Sequence, residues 1–189
     1  IYEENDSSII TDETLLTLLF DSDTLYVHAD TITATLDSLN SRTIKAFKGV
    51  KFYSNNLQGK CKYLNYYKGD STIQMYVDPV LWSEDNQLTS NHISIQLSNN
   101  NIDRLFLTEN AFISSQESSI LFNQIKGKKI TGYFVKSALK KVVVEGNGQA
   151  VYVIKDKEEK ISGVNTIKCS HMNINVVNKK LQRISFQEK

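Results

Sequence analysis

Three histidines, two cysteines and a few closely spaced carboxylates are the side chains of this 189-residue chain best suited to catalysis or metal binding. His28, His92 and His171 lie far apart, with neither the HxH nor the HExxH spacing that turns two imidazoles toward one ion. They are expected on a solvated surface or rim. Cys61 and Cys169 cannot build a four-cysteine zinc site or a disulfide framework. They read either as small core residues or as the ends of one long-range bridge. Glu84 and Asp85 are adjacent in a loop, so their carboxyl groups diverge instead of flanking a reacting bond. The chain has no Gly-x-Ser-x-Gly elbow, phosphate-binding glycine loop or dinucleotide fingerprint, and Gly146-Asn147-Gly148 reads as a turn. No catalytic residues, no metal ligands and no cofactor are expected, and the chain is read as a non-enzyme.

Nine Tyr, eight Phe and one Trp are spread through the chain at alternating positions, which predicts packing on sheet faces. A glycan-binding reading needs exposed aromatics gathered in one place, and the alternation alone does not gather them. Lys128, Lys129, Lys140 and Lys141 form two pairs that serve solvated strand edges without any ligand.

The elements that must position these groups are strands. Hydrophobic residues make up 40% of the chain, enough for a sizeable core. One Pro and eight Gly exclude collagen-like and low-complexity classes. Period-two alternation recurs throughout: Ile93, Ile95 and Leu97 alternate with His92, Ser94 and Gln96, as half-buried strands require. Residues 13–20 also fit a short helix, although their position favours a leading strand.

A repeat organises the alternation. Five segments share the order apolar, any, small, polar, any, apolar, any, apolar, opening at Val27, Leu57, Leu88, Ile125 and Ile167. In the second copy Lys62 stands where an apolar residue is expected. Each copy is followed by a further apolar pair, as in Ile44/Phe47, Ile73/Tyr76, Ile102/Leu105, Leu139/Val142 and Leu181/Ile184. Units this small cannot bury an apolar face alone, and stacking them yields a continuous interior with exposed strand edges at both ends.

Charge divides the chain. The 22 Lys+Arg against 21 Asp+Glu give a net +1, which argues against a dedicated nucleic-acid binder. Residues 1–119 nevertheless sum to −8 and residues 120–189 to +9. Such a dipolar molecule is suited to stacking head to tail or to offering a basic end to an anionic ligand. No stretch approaches the roughly 20 apolar residues of a membrane-spanning helix. Because the chain begins at Ile1, the lack of a visible leader carries no information.

Two stretches carry a family resemblance: Asp23-Thr24-Leu25-Tyr26-Val27-His28-Ala29-Asp30 and Asp78-Pro79-Val80-Leu81-Trp82-Ser83-Glu84-Asp85-Asn86-Gln87-Leu88-Thr89. With the Ala29-Asp30-Thr31-Ile32 element and the return element Lys48-Gly49-Val50-Lys51-Phe52, the chain resembles the OstA/LptA family, and more closely the larger OstA-like proteins of Gram-negative bacteria. The resemblance covers roughly residues 20–189. It implies an all-β, elongated, twisted open β-jelly roll of repeated two-strand units, with 1–22 as a leading segment and 23–189 as the OstA-like repeat domain. It further implies a periplasmic lipid-binding protein that shields lipopolysaccharide acyl chains in an apolar groove on the way to the outer membrane. The partners so implied are lipopolysaccharide or a lipid A-like amphiphile, other lipopolysaccharide-transport proteins and further copies head to tail; nucleic acid is not among them. The inward rows expected to line the groove are Val27, Ile32, Ile73, Met75, Ile93, Ile95, Leu105, Leu107, Val142, Val144, Ile174 and Val176. The alternative is an assembly module that pairs its edge strands with envelope proteins and holds no lipid.

Overall fold

The structure is a computed structural model that describes residues 7–19, 24–36, 40–55, 57–99, 101–136, 138–158, 160–177 and 180–187. Residues 1–6 and 20–22 of the leading segment, Asp23, Asn56 and Asn100 lie outside them, as does the Leu181 side chain. Among the described residues thirteen strands form one antiparallel sheet: β1 (Ser7–Leu19), β2 (Thr24–Leu36), β3 (Arg42–Tyr53), β4 (Gln58–Tyr67), β5 (Thr72–Tyr76), β6 (Val80–Ser83), β7 (Asn86–Thr89), β8 (His92–Ser98), β9 (Asn101–Gln116), β10 (Phe122–Val135), β11 (Ala138–Lys155), β12 (Ile161–Val177) and β13 (Lys180–Gln187). No helix occurs among the described residues, and residues 13–19 belong to β1.

The sheet is a meander with one complication. β4 pairs with both β5 and β6, and β9 with both β8 and β7, so the path β4–β5–β8–β9–β7–β6 closes into a barrel-like ring. The cause is a crease. Registers break at corresponding places in successive pairs: Thr11/Thr14 in β1, His28/Thr31 in β2, Phe47/Val50 in β3, Lys126/Lys129 in β10 and Glu145/Gly148 in β11. β5 and β6 are the two sides of the same kind of break at Val77–Pro79, and β7 and β8 flank Ser90–Asn91. Each long strand thus contributes one half to each of two arms. Arm one holds residues 14–19, 24–28, 50–53, 58–61, β6, β7, 111–116, 122–127, 148–155 and 161–169; the remaining strand residues form arm two.

The backbone explains the crease. Four breaks carry two consecutive residues in the left-handed region: Lys48-Gly49, Val77-Asp78, Glu109-Asn110 and Gly146-Asn147, with φ between 52° and 74°. Two such residues in a row rotate an extended chain sharply and deepen the twist, as bulges do. They fall 21, 20, 21 and 21 residues after the repeat openings Val27, Leu57, Leu88 and Ile125. Two of the displaced carbonyls are recovered across the crease, where Lys62 N–H donates to Val77 O (3.1 Å) and Asn91 N–H to Glu109 O (2.9 Å). Gly146-Asn147-Gly148 is therefore not a turn between strands. It is the bend inside β11, because its neighbours on both sides continue the ladder with β12.

The small position of the repeat faces the inside of the same crease. Ala29 is fully buried, and Gly59, Ser90 and Gly127 are buried as well. A Cβ on Gly59 would lie 2.2 Å from the Phe52 ring, and one on Gly127 would lie 2.5 Å from Val144 Cγ1. Both arms bury their inner rows in a single apolar cluster, from Leu25, Phe52 and Leu81 in arm one to Ile93, Leu107 and Met172 in arm two.

These contacts generate a stability prediction. Gly59→Ala and Gly127→Ala should each cost about 1–3 kcal/mol by overpacking. Gly163→Ala, with nothing within 4 Å of its Cβ, should cost far less. Urea midpoints of the three variants check this.

Candidate functional site

The inward rows run along the strands because every second side chain turns to the same face. Val27, Ile32, Ile73, Met75, Ile93, Ile95, Leu105, Leu107, Val142, Val144 and Ile174 are all 0–7% exposed and belong to the one core cluster; Val176 is half-buried against it. Cross-strand registers set them side by side on the inner face, as in Ile73↔Ile95, Met75↔Ile93, Ile93↔Leu107 and Val142↔Ile174. Along the middle of the molecule these side chains have one another as neighbours.

The interior opens at the carboxy-terminal end. There a cavity of about 450 Å³ is bordered by Tyr152, Asn165, Ile167, Gln182, Ile184 and Phe186. It exists because the arms end on different strands. Among the described residues, 161–169 of β12 pair only with β11 in arm one, whereas β13 pairs with β12 in arm two. Ile167 and Ile184 join the core from this side, and Phe186 remains 53% exposed. Asn165 Nδ2 donates to the Tyr152 hydroxyl at 2.7 Å, and Thr166, Lys168, Gln182 and Arg183 add further polar groups to the lining. Of these border residues, sequence reasoning marked only Ile167, as a repeat opening, and Ile184, as half of an apolar pair. The rest depend on where two sheets stop, which alternation does not encode.

The opposite end is also an open edge. Among the described residues β1 pairs only with β2, and Ile9, Ile10 and Leu15 are between 53% and 69% exposed.

The groups first considered for chemistry are dispersed. His28, His92 and His171 sit on β2, β8 and β12, each half-buried. His92 stacks on Tyr76 with centroids 4.6 Å apart, and burial lowers its pKa. Among the described residues no group of three His, Cys, Asp or Glu could hold a metal ion. Cys61 and Cys169 lie on β4 and β12 and are not joined. Burial pushes the Cys61 thiol up from 9.0 to about 12. Glu117, held by Lys155 at 2.5 Å and by Asn123, has its carboxyl lowered.

No known family model matches the chain, and no curated protein matches it significantly.

The Cys61 environment sets a pH dependence. A thiol whose folded pKa lies above its unfolded value contributes stability that is complete below pH 9 and lost as pH rises toward about 12. Thermal melts across that window should fall less steeply for Cys61→Ala than for the parent, and alkylation of Cys61 at pH 8 should require unfolding.

Proposed function

We propose that this chain is a non-enzymatic periplasmic carrier that shields acyl chains of lipopolysaccharide, or of a lipid A-like amphiphile, as they pass toward the outer membrane. In this reading the creased sheet is the open β-jelly roll of the OstA/LptA type, and other lipopolysaccharide-transport proteins are its partners. The observation that carries the reading is an apolar core against which Ile167 and Ile184 pack while also bordering an open cavity. The cavity's size lies within the range of small-molecule sites. An acyl chain entering beside Ile167, Ile184 and Phe186 would extend the core as though it were one more apolar row. Each methylene so covered gains about 0.8 kcal/mol, so ten of them would contribute on the order of 8 kcal/mol before the cost of ordering the chain. Deeper passage, to the level of Ile95, requires the arms to part, because Ile95 is 1% exposed.

Photo-crosslinkers at positions 184 and 95, with lipopolysaccharide present, test this. Lipid adducts at 184 are expected first, with 95 labelled only when lipid has separated the arms. Protein-only adducts at both positions would remove the carrier reading.

A second reading, an assembly module without lipid, is favoured by the edges of β1 and β13, unpaired among the described residues, and by their exposed Ile9, Ile10, Leu15 and Phe186. Addition of a neighbour's strand to either edge would supply main-chain hydrogen bonds and cover those side chains. With −8 in the first part and +9 in the second, head-to-tail contacts bring unlike charges together. Sedimentation over a concentration series should show open-ended association that weakens from low salt to about 0.15 M, where screening acts over about 8 Å. A monomer throughout would eliminate it.

A further inference from the structure

The outer face of arm one bears a feature that the interior does not explain. Register places Tyr26 opposite Tyr53, Tyr53 opposite Gln58, Gln58 opposite Trp82, and Trp82 opposite Gln87. These five residues form one continuous rung across β2, β3, β4, β6 and β7, and directly opposed residues share a face of the sheet. That face is the outward one, because the alternating neighbours Phe52, Leu81 and Leu88 are buried in the core. Tyr26 is 41% and Tyr53 51% exposed, and the Trp82 indole N–H donates to Gln87 Oε1 at 3.0 Å. Neighbouring strands stand about 4.8 Å apart, which sets Tyr53 and Trp82, two strands from each other, roughly 10 Å apart along the rung. That is the scale of a disaccharide.

The adjoining rung supplies charge of one sign. Lys51 stands opposite Lys60, and the same rung reaches Lys126 and Lys168 on β10 and β12 through Val80, Thr89, Phe112 and Gln149. All four lysines are exposed, none forms an ion pair among the described residues, and neither rung contains a carboxylate. Lys60 Nζ lies 5.7 Å from the Trp82 ring centroid, joining the two rungs.

The outer face of arm two is different. There Lys62 covers Tyr63, Lys129 covers Phe106, Lys141 covers Tyr133, and His92 stacks on Tyr76. Those rings already have partners. The Tyr26 and Tyr53 side chains have no ring, cation or hydrogen-bond partner among the described residues.

We propose that this face binds an acidic oligosaccharide. Its pyranose rings would lie on Tyr26, Tyr53 and Trp82, its hydroxyls would meet the Gln58 and Gln87 amides, and its carboxylates would meet Lys51 and Lys60. Aromatic faces accept the C–H side of a sugar, side-chain amides both donate to and accept from hydroxyls, and unpaired lysines match a negative ligand. A single-stranded nucleic acid also stacks on aromatics beside lysines, but the amide content of the rung and the chain's net +1 favour the glycan. The site is on the outside of the sheet and does not depend on any ligand in the interior.

Trp82 is the chain's only tryptophan, so its emission reports on this rung alone. The full chain is titrated with oligogalacturonate, with neutral cello-oligosaccharide and with oligo(dT), with calorimetry in parallel. Oligogalacturonate should change Trp82 emission saturably and bind more tightly than either of the others. Tyr53→Ala should weaken it about tenfold, the loss of one stacked ring. Replacing Lys51 and Lys60 together by Gln should weaken it about fivefold and leave the neutral sugar unchanged. Both substitutions are at exposed positions, and unchanged circular dichroism confirms that the variants fold. No saturable binding of either sugar by both methods would overturn the proposal. Equal binding of acidic and neutral sugars, insensitive to the lysines, or tighter binding of oligo(dT), would overturn it as well.

Discussion

A strand that runs through both arms must bend once, at the line its neighbours bend at, and the rest of the structure depends on this. A bend made by one strand alone would leave its neighbours' N–H and C=O groups without partners inside the protein, at a cost that burial makes prohibitive. Aligned bends keep both ladders intact. The left-handed pairs that make them are strained where the residue is not glycine, by roughly 1–2 kcal/mol each. Val77, β-branched at φ 60°, is the most demanding case. Offsetting that strain is the burial it permits: with the sheet creased, the inner rows of both arms share one cluster instead of facing water separately.

Read this way, the recurring small residue is a packing requirement. It recurs because each crossing brings a backbone close to a ring or branched side chain of the next strand, as Gly59 lies against Phe52 and Gly127 against Val144. The exposed polar residue after it, such as Asp30, Lys60 or Lys128, falls on the outer side of the same bend.

Alternation made the strands and the inward rows legible, because each depends on a period within one segment. Ile93 and Ile95 are buried for the reason their spacing announces. What alternation cannot convey is what lies opposite a row, and so it could not foresee that the middle of the interior is closed while the carboxy-terminal end is open. Gly146-Asn147-Gly148 misled because two residues suited to left-handed backbone serve a hairpin turn and a bend within β11 equally well. The aromatic rung was invisible for a stronger reason. Tyr26, Tyr53 and Trp82 are far apart in the chain and meet only when the registers of β2, β3, β4 and β6 are known. Alternation alone does not gather these aromatics; the register does.

Every strand pairs with a strand close to it in sequence, and even the ring around β5 to β8 is closed within one stretch of the chain. Ordering such a sheet requires few long loop closures, so folding can begin at a central hairpin and spread outward by addition of the next strand. The energetic profile of the native molecule should have the same shape. A central strand such as β9 is held on both flanks, whereas among the described residues β1 and β13 have a partner on one side only. Amide hydrogens should therefore exchange most slowly near the ring and progressively faster toward either end, so that the molecule frays from its two ends by whole strands.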